Sequence, residues 1–259
     1  MSFNVNTTEL AILLSILLRL SFIFFMLPIF TAVGMPSIVK ALIVLSISIM
    51  LFPVIKQDVR PIPFDSSSLV SIIVSELIYA MVFSLSMHLV MSAFELAGEL
   101  IGFEMGFGFS QTADPNTGAR FTVLSAWTQM LATMILLSIN GHHIVLRILA
   151  ESFKTVPIGS FALDSGLFRK MVLLSATLFI LALKLAAPVL SVLVLTQIGL
   201  GLMSKFAPQI NVLATSFPLT IALGMLFFGL TITLWGQTGV ASFSRLFDVL
   251  RNLSTPAPL

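Results

Sequence analysis

The 259-residue chain has no cysteine, one tyrosine, two tryptophans and few charged residues, which make up 9% of the sequence. The absence of cysteine excludes disulfides, thiolate metal ligands and cysteine nucleophiles. Because Lys and Arg are scattered rather than clustered, the net charge of +2 does not indicate nucleic-acid binding. Hydrophobic residues, in contrast, make up 58% of the chain, and the mean hydropathy is +1.09. Such a composition is too apolar for an ordinary soluble domain and predicts an integral membrane protein.

Apolar runs of roughly the length that a helix needs to cross hydrocarbon recur along the chain. They cover about residues 10–34, 37–55, 69–94, 121–139, 172–199 and 208–234. Short polar connections separate the runs, and no low-complexity linker divides them. We therefore predict an all-α membrane protein of helical hairpins with about six hydrophobic helices, forming a single domain over residues 1–259. Pro208, Pro218, Gly224 and Gly229 predict that some of these helices are kinked or broken.

Two further stretches have the periodicity of amphipathic helices. In the first, the apolar face holds Val145, Ile148, Leu149, Phe153 and Val156, and the polar face holds Arg147, Glu151 and Lys154. The second is a C-terminal tail at 240–259, with Phe243, Leu246, Phe247, Leu250 and Leu253 on one face. We expect this tail to lie on a surface of membrane or partner.

A glycine-spaced acidic face is the most distinctive local pattern. Gly98 and Gly102 share one arc of a helix with Glu95 and Glu99. Glycines let another backbone approach closely, and carboxylates are costly in lipid. This face must therefore meet protein or water, and our hypothesis is that these four residues pack in contacts between subunits.

A loop rich in glycine and phenylalanine follows this face. Its candidate gating residues are Met105, Gly106, Phe107, Gly108 and Phe109, followed by the turn residues Asp114, Pro115 and Gly118. Bulky, soft side chains beside glycines can close a narrow passage by packing alone. We interpret residues 106–120 as a plug-like loop. The alternative is that the loop merely caps a helix hairpin.

Three charged residues lie inside apolar runs, where ionised side chains are costly: Arg19, Glu76 and Lys184. Each requires a partner or an aqueous path. Glu76 is a candidate partner for either basic residue. Two alternatives remain open, namely ion pairs within the chain or between subunits, and the lining of a hydrated pore.

Neither a catalytic site nor a cofactor or metal site is predicted. His142 and His143 are adjacent and lack the spacing of a zinc protease, and the glycines near residue 106 lack the Gly-Lys-Ser/Thr of a phosphate loop. Glu104 would point away from Glu95 on a continuous helix, so these carboxylates do not form a metal cage. We expect a protein that is not an enzyme.

Several ordered blocks resemble the FliR family, the export-gate proteins of flagellar and injectisome type III secretion. They are Glu-Leu-Ala-Gly-Glu-Leu-Ile-Gly at 95–102, Met-Gly-Phe-Gly-Phe at 105–109, Asp-Pro-Asn-Thr-Gly at 114–118, Asn-Gly-His at 140–142, Lys-Phe-Ala-Pro-Gln-Ile-Asn-Val at 205–212 and Phe-Pro-Leu at 217–219. The N-terminal seventy residues match only in hydropathy.

The resemblance implies a subunit that assembles with FliP and FliQ subunits into a helical channel for unfolded flagellar proteins. It also implies contact with FlhB, membrane lipid around the assembly, and a location in the bacterial inner membrane at the flagellar basal body. In that family the plug loop corresponds to about residues 106–120. Two other functions remain open: a secondary transporter that uses Arg19, Glu76 and Lys184, and a purely structural scaffold.

Overall fold

Helices dominate the part of the chain that the computed structural model describes, residues 7–26, 36–56, 66–108, 122–161, 165–206 and 212–253. Seven α-helices lie in these ranges: α1 (Thr7–Met26), α2 (Ser37–Ile55), α3 (Ser66–Glu104), α4 (Val123–Ser138), α5 (Gly141–Thr155), α6 (Ser165–Phe206) and α7 (Val212–Arg251).

Four of the described helices, α2, α3, α6 and α7, are long and apolar enough to cross a membrane. A fifth span results if α4 and α5, which meet at an angle of 66°, are counted as one broken span. The predicted all-α membrane fold of hydrophobic helices is confirmed.

The break between α4 and α5 occurs at Asn140, whose φ of 55° lies in the left-handed region. Asparagine adopts this conformation more readily than most residues, because its short polar side chain can form local hydrogen bonds. α7, in contrast, is continuous through Pro218, where the sequence predicted a helix that is kinked or broken. Pro218 lies near the start of α7, so the backbone hydrogen bond that it cannot donate is lost from the first turns only. Pro208 lies outside the described residues.

The chain divides into two compact units. Unit 1 contains Met1–Leu89, Asn140–Leu174 and Ser244–Leu259, and unit 2 contains Val90–Ile139 and Ser175–Phe243. The prediction of a single export-gate domain over residues 1–259 stays a prediction.

In unit 1, α2 packs against α1 and α5. The first predicted amphipathic helix, the one with Val145 and Phe153 on its apolar face, is confirmed as α5. Its apolar residues Val145, Ile148, Leu149, Phe153 and Val156 are buried, and Arg147, Glu151 and Lys154 are exposed. α5 is therefore a surface helix of this unit, with its charged face outward.

The C-terminal stretch differs from the expected surface tail. Residues 240–251 are the last turns of α7 rather than a separate segment. Four residues of its apolar face belong to unit 1 and are buried: Leu246, Phe247, Leu250 and Leu253. The chain itself therefore covers the face that we expected to contact a membrane or a partner. Residues 254–259 lie outside the described part.

An aromatic cluster joins α3 to α7 in unit 2. The Phe94 ring stacks on Phe243 with 6.0 Å between ring centroids and an interplanar angle of 11°. Trp235 lies 6.0 Å from Phe94 and makes an edge contact with Phe228 at 5.4 Å. Large aromatic side chains bury much apolar area, so this cluster fixes the packing of α7 beside the end of α3.

Candidate functional site

The glycine face of α3 receives α4 of the same chain. A Cβ atom at Gly98 would lie 2.2 Å from the Thr128 hydroxyl oxygen and 2.8 Å from the Ser125 Cα. A Cβ at Gly102 would lie 2.6 Å from the Thr122 hydroxyl oxygen. Only glycine leaves enough room for this approach, which is the small-residue packing common between membrane helices.

This arrangement changes the interpretation of the face. The close helix approach predicted at Gly98 and Gly102 is present, but a helix of this chain occupies it. A helix of another subunit could reach these glycines only by displacing α4. For Glu95, which is half-buried, a role in packing between subunits stays a prediction.

Glu99 holds the start of α4. Its Oε2 accepts hydrogen bonds from the Thr122 backbone N–H at 2.9 Å and from the Thr122 hydroxyl at 3.0 Å. Thr122 is itself the N-cap of α4, since its hydroxyl oxygen accepts from Ser125 N–H at 3.2 Å. A carboxylate beside a helix N-terminus also interacts favourably with the helix dipole.

At the other end of the loop, Gly106 terminates α3. The Gly106 N–H donates to the Phe103 carbonyl and the Phe107 N–H donates to the Gly102 carbonyl, each at 3.0 Å. This pair of bonds, with a positive φ of 93° at Gly106, is a Schellman motif. Glycine adopts that φ without strain, so the helix end is fixed by this residue.

The same turn is docked onto α7. The Thr220 hydroxyl donates to the Met105 carbonyl at 3.2 Å. A Cβ at Gly224 would lie 2.6 Å from the Met105 Cγ, and one at Gly106 would lie 2.5 Å from the Phe217 ring. Met105 and Phe217 thus fill the spaces left by glycines on the opposite element.

The described residues on either side of 109–121 are therefore held against α3. The chain leaves α3 at Gly106 and returns at Thr122, whose partners are Glu99 and Gly102. These attachment points lie within about two turns of one helix. We call this arrangement, made by Glu99, Gly102, Met105, Gly106 and Thr122, the loop anchor.

The loop anchor corrects one predicted gating residue. Met105 is fully buried against α7, so its side chain is not available to seal a passage. Phe107 and Gly108 are half-buried beyond the helix end. Phe109, Asp114, Pro115 and Gly118 lie outside the described residues, so the plug role of residues 106–120 stays a prediction.

Glu104 bonds to α6 within unit 2. Its Oε2 accepts a hydrogen bond from Gln197 Nε2 at 2.6 Å. This contact gives the carboxylate at the end of α3 a polar partner.

Unit 1 contains a fully buried ion pair. Arg19 Nη2 donates to Glu76 Oε1 at 2.8 Å, and Arg19 Nε donates to Glu76 Oε2. Arg19 also donates to the Ser152 hydroxyl at 3.1 Å and to the Val156 carbonyl at 3.3 Å. Glu76 Oε1 accepts in addition from the Gly159 N–H at 3.1 Å. Neither charged side chain is exposed at all.

Two aromatic rings enclose the guanidinium. Its central carbon lies 4.3 Å from the Phe153 ring centroid and 4.7 Å from that of Tyr79. The geometry satisfies four of the five N–H groups of Arg19 and adds cation–π contacts. The network therefore connects α1, α3, α5 and the turn after α5.

The structure resolves the predicted pairing of the three intramembrane charges. Glu76 pairs with Arg19 within the chain. Lys184 is exposed on α6, and no described residue forms an ion pair with it.

Sequence reasoning missed Thr122 and Ser152, and it gave Gly224 a role in bending a helix rather than in receiving Met105. Thr122 had a readable signal, since a threonine directly before an apolar run is a common N-cap. Ser152 had none, because its partner Arg19 lies far away in sequence.

The described residues thus form an all-α membrane protein with a buried ion pair and with close helix packing at glycines. The chain belongs to family 1 of the bacterial export proteins, whose model matches residues 10–246.

Among curated proteins, the chain is similar to the flagellar biosynthetic protein FliR of several bacteria. It is 30% identical to that of Pectobacterium carotovorum subsp. carotovorum over 152 residues, which cover 59% of this chain and 58% of the relative. It is 30% identical to that of Escherichia coli (strain K12) over 156 residues, 60% of each chain. The chain thus spans less than two thirds of these relatives. A weaker similarity, 20% over 216 residues, covers 83% of this chain and 86% of the FliR of Caulobacter vibrioides.

Proposed function

We propose that this chain is a structural and gating subunit of the flagellar type III protein export channel. It assembles with FliP and FliQ subunits in the bacterial inner membrane, at the flagellar basal body, around a pore for unfolded flagellar proteins. It contacts FlhB in the assembled gate and has no catalytic role. Membership of the export family and similarity to proteins named FliR support this proposal.

The observation that carries the gating role is the loop anchor. A loop that starts and ends on adjacent turns of one helix can move without rearranging the helices that hold it. Glu99 and Thr122 fix one end, and the Schellman motif at Gly106 fixes the other. The plug-like loop at 106–120 then closes the resting pore and moves aside when a substrate arrives, while Phe107 and Phe109 help to exclude water and ions by packing.

The paired charges fit a subunit better than a transporter. Arg19 and Glu76 bond to each other, and their remaining hydrogen bonds go to Ser152, Val156 and Gly159. A transporter would need these charged groups to face a substrate or coupling ion. In this chain they stabilise the contact between helices instead.

Co-expression tests the assembly. This chain, FliP and FliQ are produced together, solubilised in mild detergent, and purified through a tag on this chain. Native mass spectrometry then gives the mass of the complex. The proposal predicts a stable complex containing all three proteins. Recovery of this chain alone, although FliP and FliQ are present in the same membranes, would overturn it.

A further inference from the structure

One face of α6 in unit 2 is exposed and almost entirely apolar. Its residues follow one another at three- and four-residue steps, which places them on a single stripe of the helix. We call this face the Lys184 strip; it consists of Ile180, Leu183, Lys184, Ala187, Ser191, Val194, Leu195 and Ile198, all exposed. The exposed fractions of Ile180, Leu195 and Ile198 are 64%, 68% and 55%.

The opposite face of the same helix is the buried one. Ala182, Leu185, Ala186, Val189 and Leu193 are all completely buried. α6 therefore has a buried inner face, whereas no described residue covers the Lys184 strip.

Lys184 is the only charged residue of α6 between Lys170 and Lys205. No described residue pairs with its ammonium group. The Ser191 hydroxyl, the other polar group of the strip, bonds to the Ala187 carbonyl of the same helix. The strip thus presents one unneutralised positive charge within an apolar surface.

Lipid alone is a poor cover for this surface. The uncharged residues 171–183 before Lys184 span about 20 Å of helix, and residues 185–204 after it span about 30 Å. If Lys184 reached a lipid headgroup, one of these apolar lengths would leave the hydrocarbon. The two lengths together exceed the hydrocarbon thickness of about 30 Å, so lipid tails cannot cover both. If Lys184 lay within the hydrocarbon, its ammonium would face acyl chains, which is costly.

We infer that an apolar helix of another subunit covers the Lys184 strip and places one Asp or Glu carboxylate against the Lys184 ammonium. A single charge pair in an apolar interface neutralises Lys184 and fixes the register of the two helices, because sliding the partner helix by one turn would leave both charges unpaired. The inference rests on the proposed function in taking α6 to lie within an assembly.

Chemical crosslinking in membranes of the source bacterium tests the contact directly. A membrane-permeant carbodiimide joins an amine to a carboxylate only where the two groups are in contact, and mass spectrometry of the peptides identifies the carboxylate. We expect Lys184 to be linked to an Asp or Glu within an apolar helix of another chain. A link to a carboxylate of this chain would overturn the inference. So would an unlinked Lys184 that still reacts with a permeant amine reagent, which would indicate lipid contact.

Charge variants give a second readout. In the co-expressed complex with FliP and FliQ, Lys184→Glu should lower the yield of complex at least tenfold, whereas Lys184→Arg should keep most of it. Lys205→Glu, the same change at an exposed residue near the end of α6, is the matched control and should assemble normally.

These outcomes separate the two claims. Normal assembly of Lys184→Glu would overturn the inference and leave the proposed function standing. Failure of the unchanged chain to assemble with FliP and FliQ would overturn the proposed function, and the crosslink would still decide whether a carboxylate faces Lys184.

Discussion

Arg19 and Glu76, separated by 57 positions in the sequence, meet in a fully buried ion pair in which Nη2 donates to Oε1 at 2.8 Å. Burying two charges is costly, and their attraction offsets this cost only when further hydrogen bonds complete the site. Here Ser152 and the backbone at Val156 and Gly159 supply those bonds. The pair is therefore part of a larger network that orders unit 1.

Removing one partner of this pair should destabilise the chain far more than removing both partners. Arg19→Met leaves the Glu76 carboxylate buried without its charge partner, and we expect a loss of about 3–5 kcal/mol in the free energy of unfolding. The double variant Arg19→Met/Glu76→Leu should recover most of that loss, because both charges are then gone. Denaturant unfolding of the chain in mild detergent measures both values.

Lys184→Met is the matched control, since it also removes a charge from an apolar helix. Lys184 is exposed and pairs with no described residue, so unfolding of the isolated chain should change by less than about 0.5 kcal/mol. Equal losses for Arg19→Met and Lys184→Met would contradict a structural role for the ion pair.

The contact between α3 and α4 should depend on the absence of a side chain at Gly98. A methyl group there would meet Thr128 and the backbone of Ser125, which cannot move aside easily. Gly98→Ala should therefore destabilise the chain by about 1–3 kcal/mol, as overpacking does elsewhere.

Gly229→Ala provides the comparison in α7. Apart from its own stretch of helix, no described atom lies within 4 Å of a Cβ at Gly229, so alanine should be neutral or raise helix stability by about 0.5–1 kcal/mol. Thermal unfolding midpoints of the two variants in the same detergent measure the contrast. If both variants shifted the midpoint equally, the close packing at Gly98 would not be the cause.

Much of the fold could be predicted from the sequence, because hydrophobic length and periodicity are local signals. The 3.6-residue period correctly predicted α5 and which of its faces is buried and which is exposed. The charged residues within apolar runs were predicted to need partners. The sequence could not show whether Arg19 or Lys184 pairs with Glu76, since contacts between residues far apart in the chain leave no local signal.

The candidate site was predicted less completely. The glycine spacing correctly indicated close helix packing at Gly98 and Gly102, but it could not show that the neighbouring helix belongs to the same chain. Met105 was assigned to gating because it adjoins glycines. Its burial depends on Gly224, which lies more than a hundred positions away.

The attachment of Glu99 to Thr122 should be measurable as a coupling energy. Glu99→Gln weakens the bonds to the Thr122 N–H and hydroxyl, and Thr122→Val removes the hydroxyl. Because a carboxylate forms stronger hydrogen bonds than an amide, a double-mutant cycle should give a coupling of about 1–2 kcal/mol. In Thr122→Val, the Ser125 N–H loses its bond to the Thr122 hydroxyl oxygen, so its hydrogen exchange should also become faster. Additive effects in the cycle would show that the two residues act independently.

The turn at Gly106 should tolerate no side chain. Alanine there meets two obstacles, the φ of 93° and the Phe217 ring. Gly106→Ala should cost more than about 1 kcal/mol and loosen the start of residues 109–121. Limited proteolysis should then cut the loop faster than in the unchanged chain.

Gly236→Ala serves as the control for that measurement, since a Cβ at Gly236 has open space. The rate of loop cleavage should stay unchanged in this variant. An equal acceleration in both variants would mean that the Schellman turn does not hold the loop.

The most direct test of the gating claim is ion leakage through the assembled gate. Residues 109–120 are replaced by a short Gly/Ser linker, which can close the gap because Gly102 lies beside Thr122. Complexes of equal native mass, with and without the loop, are reconstituted into vesicles, and the leak of a small ion is recorded. We predict a clearly higher leak without the loop. An unchanged leak from a fully assembled complex would contradict the proposal that this loop closes the pore.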